Sequence, residues 1–385
     1  MPPKRLRVVE LARILAGPWI GQTFADLGAD VIKVESPAGD DTRSWGPPFI
    51  EREGDRSAAY FHACNRGKRS VIADLSESAG VELVRRLVAQ ADVFVENFKV
   101  GGLAKYGLDY ASLKTINPRL VYCSVTGFGQ DGPKAKLAGY DFMIQGLSGI
   151  MDLTGEPDGA PQKMGVAFAD IFTALYGVVA IQAALARREQ SGLGDFIDMS
   201  LLDCMTGVLA NQSLNYLASG VSPTRLGNMH PNIAPYQTLP VRDGHFIIAC
   251  GNDRQFAALC GVLGCPQLTT DARFLSNEVR VAHRDELTQE LQSKTQRLLR
   301  DELIGRLQDA GVPAGPINSV EDAFNDAQVR HRELQVAPEG IPGVRTPVRS
   351  RNHELSLDRA APKLGQHNAE VLAELQTLEA HAMSS

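Results

Sequence analysis

Over its first third the chain alternates short β-branched runs with helical runs, and this rhythm leaves few folds open. Arg7-Val8-Val9-Glu10-Leu11 reads as a strand, as do residues 31–35, 70–74, 93–96 and 120–125. Between them a Gly17-Pro18 turn leads into a helix through Ala25-Asp26-Leu27-Gly28, and further helices cover 79–90 and 110–117. Strands joined by helices run parallel, with the helices on both sheet faces, so an α/β fold with a mostly parallel sheet is expected. Such sheets take ligands beyond the carboxyl ends of their strands.

At 385 residues the chain can bury a large core and has room for two or three domains. Residues 195–203 read as a strand leading into a helix that runs to about 218. The segment 219–235, rich in Gly, Pro, Ser and Asn, reads as a linker. A hairpin follows, with strands at 236–241 and 245–250 joined at Arg242-Asp243-Gly244. Helices are expected over 254–263, 283–294 and 300–310. The unit ends at Gly311-Val312-Pro313-Ala314-Gly315-Pro316, and the tail carries a further helix near 368–378.

A net charge of −6 argues against a general nucleic-acid binder, whose footprint would be a basic domain. The six cysteines are scattered, with no Cys-x-x-Cys pair and no zinc-ligand spacing, so buried free thiols in a reducing, cytoplasmic setting are expected and no metal is. No window is expected to approach the ~18–20 uninterrupted apolar residues of a membrane span. Gly127-Phe128-Gly129-Gln130-Asp131-Gly132 matches G-x-G-x-x-G after a strand, but Pro133 follows and the next residues read as loop. A dinucleotide site needs a helix to begin there, so no nucleotide redox cofactor is expected.

The segment 139–192 carries the chemistry. A Gly/Pro-punctuated approach, Thr154-Gly155-Glu156-Pro157-Asp158-Gly159-Ala160-Pro161, delivers the chain to Asp170, after which a long apolar helix begins. Asp is a preferred N-cap, and the helix ends in Arg187-Arg188 before Gly192, as its dipole favours. The same helix terminus is expected to keep the carboxylate ionised, and an ionised, open carboxylate is what a covalent carboxylate nucleophile requires. Cap and nucleophile are compatible readings.

The chain resembles the class III CoA-transferases, the family that includes formyl-CoA transferase, along nearly its full length. Seven blocks stand in family order: Ala16-Gly17-Pro18; Leu27-Gly28-Ala29-Asp30-Val31-Ile32-Lys33-Val34-Glu35; Asn65-Arg66-Gly67-Lys68-Arg69-Ser70; Val95-Glu96-Asn97-Phe98; Gly139-Tyr140-Asp141; Thr154-Gly155-Glu156-Pro157; and Ala169-Asp170-Ile171. The resemblance implies that Asp170 attacks an acyl-CoA thioester and passes through a mixed anhydride and an aspartyl-CoA thioester, with coenzyme A as the carried group. It implies CoA contacts at Leu15, Ala16, Asn97, Phe98 and Lys105, with Tyr140 and Asp141 beside the nucleophile. By their residue types alone, Asn97 could be an ordinary turn residue, Lys105 a solvated helix-end lysine and Asp141 a buried hydrogen-bond acceptor. The cluster Arg66, Lys68, Arg69 is open between a solvated loop and a phosphate contact. The resemblance further implies a large Rossmann-like domain (1–200 with 326–385), a connector (201–225), a smaller α+β domain (226–325) and an interlocked homodimer.

The same fold hosts α-methylacyl-CoA racemases, in which a histidine follows the glycine matching Gly139; here Tyr140 stands there, and its unperturbed pKa near ~10 suits proton exchange poorly. An inactive acyl-CoA-binding homologue is the other alternative. Formyl-CoA transferases carry a glutamine where this chain has Leu15 and a glycine run where it has Cys250-Gly251-Asn252-Asp253-Arg254-Gln255-Phe256. That block resembles the succinate–hydroxymethylglutarate (glutarate) branch, as do residues 41–49 and Gly315-Pro316-Ile317-Asn318, so dicarboxylates are the expected acids. Arg43 and Arg254 are the candidate cations for a distal carboxylate, each open also to a structural ion pair.

Overall fold

The β-branched runs pair into one parallel sheet of six strands. These are β1 (Arg7–Leu11), β2 (Asp30–Glu35), β3 (Arg69–Ile72), β4 (Val93–Glu96), β5 (Val121–Thr126) and β6 (Asp195–Ser200), in the spatial order β3-β2-β1-β4-β5-β6. Val8 of β1 stands between Val31 of β2 and Val93 of β4. Because helices cover both faces, the central strands are apolar without alternation: Val8, Val9, Val93, Phe94 and Val95 are all buried. The strand order reverses between β1 and β4, and a crevice opens at their carboxyl ends, where doubly wound sheets take ligands.

This computed structural model describes residues 5–383. The chain divides into two units, the first made of Met1–Ile150, Lys163–Ala218 and Arg330–Ser385, the second of Met151–Gln162 and Ser219–Val329. Among the helices of the first unit are α1 (Ala16–Asp26), α2 (Ser78–Ala89), α3 (Tyr110–Ile116), α4 (Asp141–Leu147), α5 (Phe168–Ser191), α6 (Leu201–Gly207) and α7 (Asn211–Ser219). One face of the sheet packs α1, α5 and α6 through Ile20, Phe24, Ala174, Ile181 and Met205. The other packs α2, α3 and the C-terminal helix Asn368–Met383 through Val84, Leu87, Leu113, Val371 and Leu375. Each large aliphatic chain so buried contributes about 1.5–3 kcal/mol.

Two local differences from the sequence reading, and one agreement at the Gly127–Gly132 match, follow from the backbone. The single helix expected after β6 breaks at Ala210, which takes the left-handed conformation at φ 49° and separates α6 from α7. No helix begins at the Gly127–Gly132 match; the chain turns through Gly129 and Gly132 at positive φ, and the next helix starts at Asp141. Finally, α5 corrects the expectation that no window could span a membrane. It has 24 residues and is long and apolar enough to cross a membrane by length and composition alone. Its buried residues, including Ala169, Thr173, Ala174, Gly177 and Ile181, line the face packed on the core.

A buried charge cluster lies under the carboxyl ends of β1 and β2. Lys33 Nζ sits 3.0 Å from Glu10 and 2.9 Å from Asp40, and it donates to the Ala12 carbonyl at 2.8 Å. Lys68 Nζ reaches the other Glu10 oxygen at 2.7 Å. Burial alone would deprotonate Lys33, but the carboxylates of Glu10, Asp40 and Glu35 outweigh it and raise its pKa. A Cβ on Gly21 would collide with the Glu10 carboxylate, so α1 can cross the cluster only as glycine there. The basic run, open from the sequence between a solvated loop and a phosphate contact, is instead buried and ion-paired. Arg66 is held bidentately by Asp26, Lys68 by Glu10 and Asn65, and Arg69 by Asp30, Glu370 and Glu374.

The second unit builds an antiparallel sheet from β7 (Tyr236–Val241), β8 (Gly244–Ala249) and β9 (Ala314–Pro316), in the order β9-β8-β7. Asp243-Gly244 makes the hairpin turn, with Gly244 at φ 141°. Ala314–Pro316, expected only to end the unit, is its third strand. Helices Asp253–Val262, Arg284–Thr295 and Arg300–Asp309 close its core on Phe246, Leu259, Leu291 and Leu303.

Candidate active site

A cavity of about 450 Å³ opens at the carboxyl ends of β1, β4 and β5. The turn after β1 supplies Arg13, Ile14, Leu15 and Ala16; the turn after β4 supplies Asn97, Phe98, Lys99 and Lys105; the loop after β5 supplies Gly139, Tyr140 and Asp141; and Asp170 faces it from α5. The seven residues expected from the sequence to contact CoA or to stand beside the nucleophile therefore line one space with Asp170. Gly127 and Gly139 let two loops meet, since a Cβ on either would stand 2.5 Å from the Cα of the other. That approach carries Tyr140 to the cavity rim, where it is 63% exposed.

The β1–α1 turn is held in an unusual shape. Ile14 is in the left-handed region at φ 73°, a strained position for a β-branched residue. Asn97 fixes the peptide before it from both sides, donating to the Arg13 carbonyl at 2.7 Å and accepting the Arg13 amide at 2.9 Å. Asp40 accepts the Ile14 amide at 3.3 Å. The Asn97 side chain thus serves the turn, leaving its backbone and Phe98 to face the cavity.

Asp170 is not the cap of its helix. The N-cap position is Ala167, which brings no side-chain acceptor, and Asp170 is the third residue of α5. The acceptor comes from Asp141, whose Oδ1 takes the Ala169 amide at 2.8 Å. Its Oδ2 accepts Gln145 Nε2 at 2.8 Å. Among the described residues no hydrogen-bond donor reaches the Asp170 carboxylate, which is half-buried at the cavity wall. The expectation that the helix terminus keeps it ionised is corrected as well. Burial, with the Asp141 charge adding to it, pushes the Asp170 carboxyl up to about 7.

Two neighbours carried no sequence signal of a role here. Tyr60, on the short helix Ala59–His62, is pushed up to about 12 by burial and then by Asp170, Cys64 and Asp141, which places its phenol within electrostatic reach of both carboxylates. Trp45, 45% exposed, meets its ring edge-on with centroids 5.5 Å apart. The other is Gln145, whose spacing of four from Asp141 on one helix face is the only hint of contact.

Arg43 is withdrawn as a substrate cation. Its guanidinium grips Glu35 with Nε and Nη2 at 2.8 and 2.7 Å, donates to the Pro362 carbonyl and stacks on Phe61. Its remaining nitrogen, Nη1, is buried without a hydrogen-bond partner, and Arg43 is not among the residues lining the cavity. Arg254 is exposed on the second unit's helix Asp253–Val262 and is not among the residues lining this cavity. Lys105 is exposed on the cavity rim, its ammonium 4.6 Å above the Tyr106 ring. Among the described residues no cluster of His, Cys, Asp and Glu is arranged to hold a metal.

The profile of CoA-transferase family III matches residues 4–368. The succinate–glutarate CoA-transferase of Agrobacterium fabrum is 57% identical over 98% of this chain and 96% of its own length. The succinyl-CoA:glutarate CoA-transferase of Mus musculus is 40% identical over 97% of this chain and 86% of its own length. Among solved structures, a CAIB/BAIF family protein from Brucella suis is 65% identical with a TM-score of 0.89, covering 97% of this chain and 99% of that one.

The raised pKa of Asp170 has a consequence for stability. A carboxyl that titrates near 7 when folded and near ~4 when unfolded binds its proton more tightly in the native state. It therefore costs stability as pH rises from 4 to 7, and fully above 7. Asp170→Asn is expected to raise Tm relative to wild type at pH 8 and to leave it unchanged at pH 4.5. Thermal melts across that range check the sign; a variant destabilised at pH 8 would contradict it.

Proposed function

The chain belongs to CoA-transferase family III, and we propose that it moves CoA from a dicarboxylyl-CoA such as succinyl-CoA to a dicarboxylate such as glutarate, with Asp170 as the covalent nucleophile. The observation that carries the reading is a carboxylate on the wall of a cavity at the sheet's switch point that no hydrogen-bond donor among the described residues reaches, its pKa raised by burial and then by Asp141. A carboxylate held by several donors would have its negative charge dispersed and would attack slowly. Asp170 keeps that charge on its own oxygens.

In this reading an Asp170 oxygen adds to the thioester carbonyl carbon, the C–S bond breaks, and CoA leaves as a thiolate. The mixed anhydride is then attacked at the Asp170 carbonyl carbon by that thiolate; the bond from this carbon to the bridging oxygen breaks, and the donor acid departs as a carboxylate with that oxygen. An acceptor carboxylate reverses both steps and leaves with CoA. One thioester replaces another, so charge and bond energy balance without ATP.

The long CoA molecule has a matching surface. A second cavity of about 330 Å³ lies at the ends of β1, β2 and β3, and shares Arg13, Phe98 and Tyr106 with the first. Lys99 and Lys105 stand exposed at the rim of the first. These cations support a path in which the nucleotide end sits over β2 and β3, the phosphates pass the lysines, and the thioester reaches Asp170.

The homodimer belongs to the same proposal. Phe142, Met143 and Leu147 on α4, Leu175, Tyr176 and Val179 on α5, and Leu214 and Leu217 on α7 stand exposed, and large apolar side chains gathered on few elements suit an interface. A second copy of the chain would cover it. A cytoplasmic setting is proposed with it, supported by six buried free thiols.

Two measurements test the reading. Intact-protein mass spectrometry after brief exposure to succinyl-CoA is expected to show a covalent CoA adduct that glutarate discharges. Asp170→Ala should lack the adduct and lose transfer by at least about 10³-fold; an adduct on that variant would place the nucleophile elsewhere. Light scattering is expected to give twice the subunit mass for wild type and a smaller species for Val179→Asp. A wild-type monomer at micromolar concentration would remove the dimer.

A further inference from the structure

Gln145 lies outside the cavity lining, yet it ties together the parts that present Asp170. It is fully buried on α4, one turn after Asp141. Its Nε2 donates to Asp141 Oδ2 at 2.8 Å and, more weakly, to the Val166 carbonyl at 3.4 Å. Its Oε1 accepts the Met164 amide at 2.9 Å. One side chain therefore fastens the segment entering α5 at two points while it holds the second oxygen of Asp141. The first oxygen takes the Ala169 amide, next to Asp170 in sequence.

We propose that Gln145 is a positioning residue for Asp170: by locking Asp141 and the 164–166 segment to α4, it sets where the first turn of α5 presents its carboxylate and how near the Asp141 charge lies. This rests on the reading of Asp170 as the nucleophile. No other amino acid can reproduce the pattern. The position requires one donor toward a carboxylate and one acceptor toward a backbone amide, at the length of a glutamine and without a charge. Methionine fills the volume and offers neither. Glutamate offers the acceptor always and the donor only when protonated.

The titratable groups around this junction are Asp141 on the same helix, Asp170 on α5, Tyr60 on Ala59–His62, and Lys163 on the approach segment, whose ammonium donates to the Met164 carbonyl at 3.2 Å. An ionised glutamate at 145 would face Asp141 with like charge and push the two carboxylates apart. A protonated one would restore the bond.

The test measures the rate of CoA-adduct formation with succinyl-CoA from pH 5 to 8.5, with steady-state KM and kcat, for wild type, Gln145→Met, Gln145→Glu and Asp170→Ala. A misplacement of a reacting group by about 1 Å costs on the order of 10²-fold. Gln145→Met is accordingly expected to form the adduct about 10- to 100-fold more slowly, with KM for succinyl-CoA within about twofold of wild type, a loss confined to the chemical step. For Gln145→Glu the ratio of its rate to that of wild type should rise as pH falls and the glutamate regains its proton. Wild-type rates and pH profile in both Gln145 variants, with Asp170→Ala dead, would overturn the proposal and leave the nucleophile standing. So would a loss seen only as raised KM. An adduct on Asp170→Ala would instead remove the reading beneath it. If Gln145→Met fails to fold, the Gln145→Glu ratio decides alone, and a ratio independent of pH counts against the proposal.

Discussion

The hydrogen bond from the Ala169 amide to Asp141 is the contact on which the site depends. An α-helix leaves its first amides without partners, and the residue best placed to satisfy them is an acid in the first turn or just before it. In α5 that acid is Asp170 by sequence, but Asp141, 28 positions before Ala169, does the work. With the amide satisfied from outside, the carboxylate of Asp170 is free to face the cavity. Burial raises the Asp170 pKa into the neutral range, and the second negative charge that this arrangement places close by adds to it. Capping and tuning are two effects of one side chain.

The opposite wall is fixed by charge. The turn after β1 must run past the nucleophile with its backbone in a conformation that Ile14 adopts only under constraint. Lys33 holds the Ala12 carbonyl, Asp40 the Ile14 amide, and Asn97 both polar groups of the Arg13 backbone. Burying that many charges is costly unless each is paired, and here Glu10, Asp40 and Glu35 face Lys33, Lys68 and Arg43. The return is a rigid turn at the point where the strand order reverses.

How much of this was legible in the sequence varied with the range of the interaction. The parallel sheet and its ligand edge could be read because β-branched runs and helical periods are local signals, and they survived in β1 to β6 with shifts of one or two residues at their ends. Asp170 was legible as a special residue because a Gly/Pro approach and an apolar helix bracket it. Its freedom from capping was not, since nothing near 170 announces that Asp141 will arrive. Arg43 and the Arg66–Arg69 run stayed open for the same reason. Their partners, Glu35, Asp26, Asp30 and Glu374, come from other strands and helices, and a guanidinium in an isolated string shows no sign of being already engaged. Tyr60 and Gln145 stayed invisible because their roles exist only through contacts between elements.

The most direct test of the account is the pH dependence of adduct formation on Asp170 in wild type and in Asp141→Asn, which keeps an oxygen for the Ala169 amide and removes the charge. The rate is expected to rise with pH through about 7 in wild type and to level off, because only the ionised carboxylate attacks. In Asp141→Asn that limb should move to lower pH. A wild-type rate that is flat from pH 5 to 8.5, or a limb that Asp141→Asn leaves in place, would contradict the claim that this pair of carboxylates controls the site.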